Sequence, residues 1–279
     1  MTTILLTTLP KDVFEIILKM LDTKACDNVK SVCWRLYRLR KRYVSSVIFE
    51  QKDHSTPIKI SEMSRCIGHY YKINSLEFRD GVYPSVACIE VLKRPKWLKS
   101  LSLRVPVNSS FLKLVSSRCK NITKIELDHG YFDDEMVAYV LGLQKLEHLE
   151  VDCSKVNDEG FIGIGKLKNL RTVTVKECSN LTDNFIRKIS CIKGLQELSI
   201  SKAPKISSAA FVTLRHIKSL KYICLEGVDS VNENSVQDLQ DFLGRGVQID
   251  VLKGGGSFWG GMLSSFVKFQ GGGLGGVGV

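Results

Sequence analysis

One short pattern constrains this chain more than any other feature. The order apolar, two variable, apolar, one variable, apolar recurs seven times between residues 73 and 225. It reads Ile73-Leu76-Phe78, Leu98-Leu101-Leu103, Ile122-Ile125-Leu127, Leu146-Leu149-Val151, Leu170-Val173-Val175, Leu195-Leu198-Ile200 and Leu220-Ile223-Leu225. Successive copies start 25, 24, 24, 24, 25 and 25 residues apart. A register held to one residue over six intervals marks a stack of like units. The alternation at the end of each copy suits a half-buried strand. One such strand cannot bury its apolar face alone, and stacking copies in parallel gives them a shared core.

The rest of each unit must carry the chain back to the next strand, and this return leg repeats too. An apolar residue followed by a helix-capping residue stands about ten places into five of the units, at Phe132-Asp133, Val156-Asn157, Leu181-Thr182, Ile206-Ser207 and Val231-Asn232. Asp, Asn, Thr and Ser satisfy the unpaired N–H groups of a helix start. Amphipathic helices are expected after them, as in Met136-Val137-Val140-Leu141 and Phe185-Ile186-Ile189. The strand motif and period resemble the leucine-rich repeat. The expected fold is an α/β solenoid, with a curved parallel β-sheet on the concave side and helices on the convex side.

Val44-Val47-Phe49 repeats the strand pattern as an irregular first unit, and a segment around Met63, Ile67 and Tyr70 supplies its helix. At the far end a helix over 235–243 leads to an alternating strand, Val247-Ile249-Val251, that closes the array. The repeats therefore span 44–252, about eight units plus the closing strand. Beyond them, residues 253–279 hold 11 glycines around an apolar island at 257–269. Gly-rich flanks behave as flexible linkers. The tail reads as disordered, with docking in cis, a partner or a membrane as the alternatives for its island.

Residues 9–42 differ in kind. Leu9-Pro10 precedes an apolar helical face of Val13, Ile16, Ile17, Met20 and Leu21, and a second face follows in Val29, Val32, Cys33 and Leu36. Leu9, Pro10, Asp12, Val13, Ile17, Leu21, Val32 and Cys33 together resemble an F-box, a three-helix module expected over residues 1–43. One departure is that Leu36 stands where the family usually has Trp, and the tryptophan here is Trp34. The resemblance implies a substrate receptor of a Skp–cullin–F-box ubiquitin ligase. It implies that Leu9, Pro10, Val13, Ile16, Ile17, Val32 and Trp34 contribute to docking a Skp-family adaptor, and through it a cullin and a RING subunit. A non-degradative F-box scaffold is the alternative.

The remaining features narrow the class. The net charge is +11, and its spread along the chain suits a solvated lysine-rich surface rather than a nucleic-acid path. The nine cysteines include no C-x-x-C pair, and Cys119, Cys153, Cys178 and Cys191 fall near repeating places as small core residues. The expected setting is reducing, cytoplasmic or nuclear, with no signal peptide, membrane span, metal or cofactor. The five histidines lie in no metal motif, and no nucleophile elbow or phosphate loop is present, so no catalysis is expected.

In a strand stack the residues between the buried positions face the open side. Those places bring Glu126, Asp128, Glu150 and Asp152 onto two adjacent strands, with His148 beside them. Arg79 and Arg104 lie on one flank and Lys176 on the other. These eight residues form the expected target site, an acidic centre for a basic element of an unidentified target protein.

Overall fold

The computed structural model describes residues 46–50, 60–69, 73–79, 81–92, 95–231, 233–244 and 246–252. The F-box-like stretch, with Leu9, Pro10, Val13, Ile16, Ile17, Val32 and Trp34, lies outside the described residues, as does the Gly-rich tail.

Nine strands form a single parallel sheet whose spatial order is the sequence order. They are β1 Ser46–Phe49, β2 Ser75–Phe78, β3 Ser100–Leu103, β4 Lys124–Leu127, β5 His148–Asp152, β6 Thr172–Lys176, β7 Glu197–Ser201, β8 Tyr222–Glu226 and β9 Gln248–Leu252. The register follows the sequence repeat without a slip. Val47, Leu76, Leu101, Ile125, Leu149, Val173, Leu198, Ile223 and Ile249 stand side by side across the sheet. The irregular first unit and the closing strand thus join the same ladder.

The first, fourth and sixth places of the seven regular units are buried, as a one-sided sheet requires. Against them pack α1 Ile60–His69, α2 Val86–Glu90, α3 Ser109–Arg118, α4 Asp134–Leu141, α5 Asp183–Ile189 and α6 Glu233–Leu243. Phe111, Phe132, Phe161, Phe185 and Phe211 are fully buried on this side. Phe161 and Phe185 of adjacent units meet edge to face, with ring centroids 4.8 Å apart.

Two return legs depart from the expected α-helix. Asp158–Phe161 and Ile164–Lys166 are separate 3-10 turns, and Ser208–His216 is one 3-10 segment. In the first case Gly163 adopts φ 90°, a left-handed conformation that interrupts the helix where a side chain would be strained. Cys191 is also a correction, because it is exposed while Cys119, Cys153 and Cys178 are buried. Every regular unit from Ile122 onward has a buried residue three places before its first position, its carbonyl accepting from that position's N–H. Cys119 serves Ile122 in this way. The 25-residue unit before Leu195 gives the place to Ile192 and pushes Cys191 one residue out.

The cap residues tie the units together. Asp133 and Thr182 accept hydrogen bonds from Met136 N and Asn184 N, as helix caps do. Asn157 and Ser207 make no such bond and instead act as donors to the preceding unit. Asp134 accepts from Asn157 N at 2.7 Å and from Asn157 Nδ2 at 3.2 Å. Asp158 accepts from Thr182 N at 3.0 Å and Oγ1 at 2.5 Å. Asp183 accepts from Ser207 N at 2.7 Å and Oγ at 2.8 Å. A carboxylate in the first helical turn also meets the positive end of the helix dipole.

Asp158→Ala removes both bonds to Thr182 and leaves its N–H without this acceptor. The expected loss is about 1–3 kcal/mol of unfolding free energy, read as a lower urea midpoint at unchanged slope.

Candidate functional site

The open face is built from the third, fifth and seventh places of the units. The fifth places form a recessed floor rather than a flat surface. Ser102, Glu126, Thr174 and Ser199 are all less than a tenth exposed there. The third places Lys124, His148, Thr172, Glu197 and Tyr222 line one side, and the seventh places Arg104, Asp128 and Lys176 line the other. The hollow is a cleft of about 620 Å³, and strands on both sides of its centre fix its walls.

Of the expected target-site residues, Arg104, Glu126, Asp128, His148, Glu150 and Lys176 line this cleft, and Arg79 and Asp152 lie outside its lining. The acidic centre is not an open patch. Lys176 Nζ lies 2.5 Å from Glu150 and reaches across β5 to Asp128 at 3.2 Å. Lys124 Nζ lies 2.6 Å from Glu126. Asp152 accepts from Ser154 N and Oγ. On the other flank Arg79 and Arg104 share Glu77, at 2.7 and 3.6 Å. Each of these carboxylates thus meets a cation or a hydrogen-bond donor, which offsets the expected repulsion within the fold.

Burial sharpens these pairs. Desolvation pushes the Glu126 carboxyl upward, but Lys124, the nearby Ser102 hydroxyl and the charge of Arg104 outweigh it, and the group is held below the ordinary carboxylate range. The Ser102 hydroxyl favours the ionised form by proximity, although it makes no well-aligned hydrogen bond. Burial pushes the Lys176 ammonium down, and the attraction of Glu150 and Asp128 overcomes that and raises it. Both shifts favour the charged states of Glu126 and Lys176.

Several lining residues are absent from the expected site. Arg171, Thr172, Thr174, Gln196, Glu197, Ser199 and Tyr222 extend the cleft over β6–β8. The rule of third and fifth places already pointed to Thr172, Thr174, Glu197, Ser199 and Tyr222. Hydroxyls at those places carry no charge signal in the sequence. Lys124 occupies a third place as well, and its role as the counter-ion of Glu126 depends on side-chain direction, which spacing does not give.

Among the described residues, no group of three or more His, Cys, Asp or Glu is placed to hold a metal ion. No helix among them is long and apolar enough to cross a membrane.

No protein-family model matches the chain. It is similar to the mitochondrial ATP synthase subunit s of Rattus norvegicus, 26% identical over 93 residues, which are 32% of this chain and 46% of that protein. The match thus spans about half the length of that curated relative. Among solved structures it is similar to TLR13 in the TLR13–ssRNA13 complex, at 15% identity, covering 85% of this chain and 34% of that one with a TM-score of 0.49. It is also similar to a chain of the yeast Rad7–Elc1 complex, at 15% identity, covering 86% and 87% with a TM-score of 0.37. Likenesses this distant carry no functional argument. The strand register and the repeating core define the described residues as a solenoid of the leucine-rich-repeat type with a cleft on its open face.

Stability should carry the signature of Glu126. A carboxyl held low in the folded state contributes stability that is present above its unfolded value, near 4.5, and is lost as pH falls through the folded value. Glu126→Gln is expected to be less stable than the parent at pH 7. The gap between the two should narrow as the pH is lowered below that value, measured by urea midpoints from pH 3 to pH 7.

Proposed function

We propose that this protein is the substrate receptor of a Skp–cullin–F-box ubiquitin ligase, holding a target protein in the cleft on its open face. The observation that carries the target-binding half is the cleft itself. A polar, ion-paired hollow on a nine-stranded sheet is a costly arrangement for a surface with no ligand, because taking charges part-way out of water offsets much of what their pairing gains. The adaptor half rests on the sequence resemblance of residues 1–43. β1 begins at Ser46, so only two residues separate that stretch from the sheet. A short join of this kind holds a bound target at a set distance from whatever the N-terminal module docks. The contribution of such a receptor is proximity and orientation rather than bond chemistry. Within this reading, Leu9, Pro10, Val13, Ile16, Ile17, Val32 and Trp34 meet the Skp-family adaptor.

Affinity purification with mass spectrometry tests both halves. The parent chain should recover a Skp-family adaptor, a cullin, a RING subunit and at least one target. Leu9→Ala with Pro10→Ala should lose the adaptor and keep the target. His148→Glu with Arg171→Glu should do the reverse, since both residues are exposed at the mouth of the cleft and changing them leaves the core alone. Adaptor recovered without cullin would make the protein a non-degradative scaffold. An adaptor retained at parental yield by the Leu9/Pro10 variant would remove the F-box reading.

A further inference from the structure

We propose that the part of the cleft over β6–β8 is an anchor subsite for one cationic side chain, lysine or arginine, of the target peptide. The inference rests on the open face being the target site and assigns the chemistry of its deepest contact.

The acids at the centre already have cations, Lys124 for Glu126 and Lys176 for Asp128 and Glu150. Toward the C-terminal strands the balance changes. The third, fifth and seventh places of β7, β8 and β9 hold Glu197, Glu226 and Asp250 and no lysine or arginine. The basic residue that follows β7, Lys202, lies 2.5 Å from Glu177 and its charge also meets Glu226. Along the third and fifth places of these strands the carboxylates Glu197 and Asp250 therefore stand with no lysine or arginine among them.

Charge alone does not define a site, and the floor adds an independent observation. Thr174 and Ser199 are paired neighbours in the sheet. Each is 9% exposed and lines the cleft, yet neither hydroxyl has a hydrogen-bond partner among the described residues. The side chains are nine-tenths buried while their oxygens are not sealed in, and the direction left open to them is the cleft. Both have lone pairs to offer an ammonium or guanidinium. An anionic ligand would meet the field of Glu197 and Asp250, and an apolar one would leave the hydroxyls unsatisfied.

The wall completes the subsite. The Glu197 carboxylate accepts a hydrogen bond from a neutral donor, Thr172 Oγ1, at 3.3 Å. Arg171 at the mouth makes no ion pair with it, so the carboxylate remains available to a ligand. Tyr222, next along the third row, lines the cleft and donates from its hydroxyl to Asp250 at 2.8 Å. That bond fixes the ring, and an aromatic face beside carboxylates favours a cation.

The test selects random dodecapeptides from a display library on the immobilised full chain and measures their affinities in solution. Enriched peptides are expected to share a lysine or arginine. Replacing it by norleucine or citrulline should weaken binding by about tenfold or more. Glu197→Gln should weaken the unmodified peptides equally and should not distinguish the neutral analogues. Thr174→Val with Ser199→Ala should act in the same direction, with melting temperature confirming that both variants fold. Peptides that share an acidic residue, or that bind Glu197→Gln as they bind the parent while losing affinity for His148→Glu/Arg171→Glu, overturn this inference and leave the open face as the target site. Peptides indifferent to the mouth variant as well overturn that reading and this inference with it.

Discussion

Every side chain on the open face owes its place to the parallel pairing of nine strands in one unbroken register. A one-residue slip in any strand would exchange its buried and exposed sets. Leu149 and Val151 would then face the cleft while Glu150 entered the core. The apolar first, fourth and sixth places forbid that, and the return legs keep each unit at 24 or 25 residues. The cleft is thus a consequence of the core. Its floor is the reverse side of the same strands whose other face packs on the phenylalanines.

The charges on that floor obey the same geometry. Strands about 4.8 Å apart bring equivalent carboxylates within repelling distance, and a long flexible lysine is the residue able to cross between them. Lys176 does so by spanning two strands, from β6 to Asp128 on β4. It is only 14% exposed, and its carboxylate partners Asp128 and Glu150 are 32% and 19% exposed, so the pairing is screened less than a surface ion pair would be. The fold uses its central charges to order one another, and leaves hydroxyls and Glu197 facing outward.

Much of this architecture was legible in the sequence because it depends on period. Strand positions, the buried triads, the irregular first unit with Val47 and Phe49, and the closing strand with Ile249 and Val251 all follow from counting. The return legs were less legible. Whether 158–166 forms one helix or two 3-10 turns depends on the conformation of Gly163, and Cys191 was misplaced because one extra residue in its unit shifts the core place to Ile192. The target site was half legible. Spacing put Glu126, Asp128, Glu150 and Lys176 on one face, but their mutual pairing depends on rotamers. Thr174 and Ser199 gave no charge signal, and their meaning emerges only from their burial beside an open cleft. The N-terminal motif was read from sequence alone, and its residues lie outside those the structure describes.

The aspartate ties between units have a mechanical consequence. They join four consecutive units, those carrying β4, β5, β6 and β7, and the pattern is broken on both sides. Ser109 precedes the run and Ser208 follows it, each standing where the tied units carry Asp134, Asp158 or Asp183. In a stack whose units touch only their neighbours, cohesion is set boundary by boundary. The three aspartate ties therefore add stiffness to the middle of the array. Most of the cleft sits over the stiff middle. A partner arriving there meets a surface already in its bound shape, and little of the binding energy is spent on ordering the receptor.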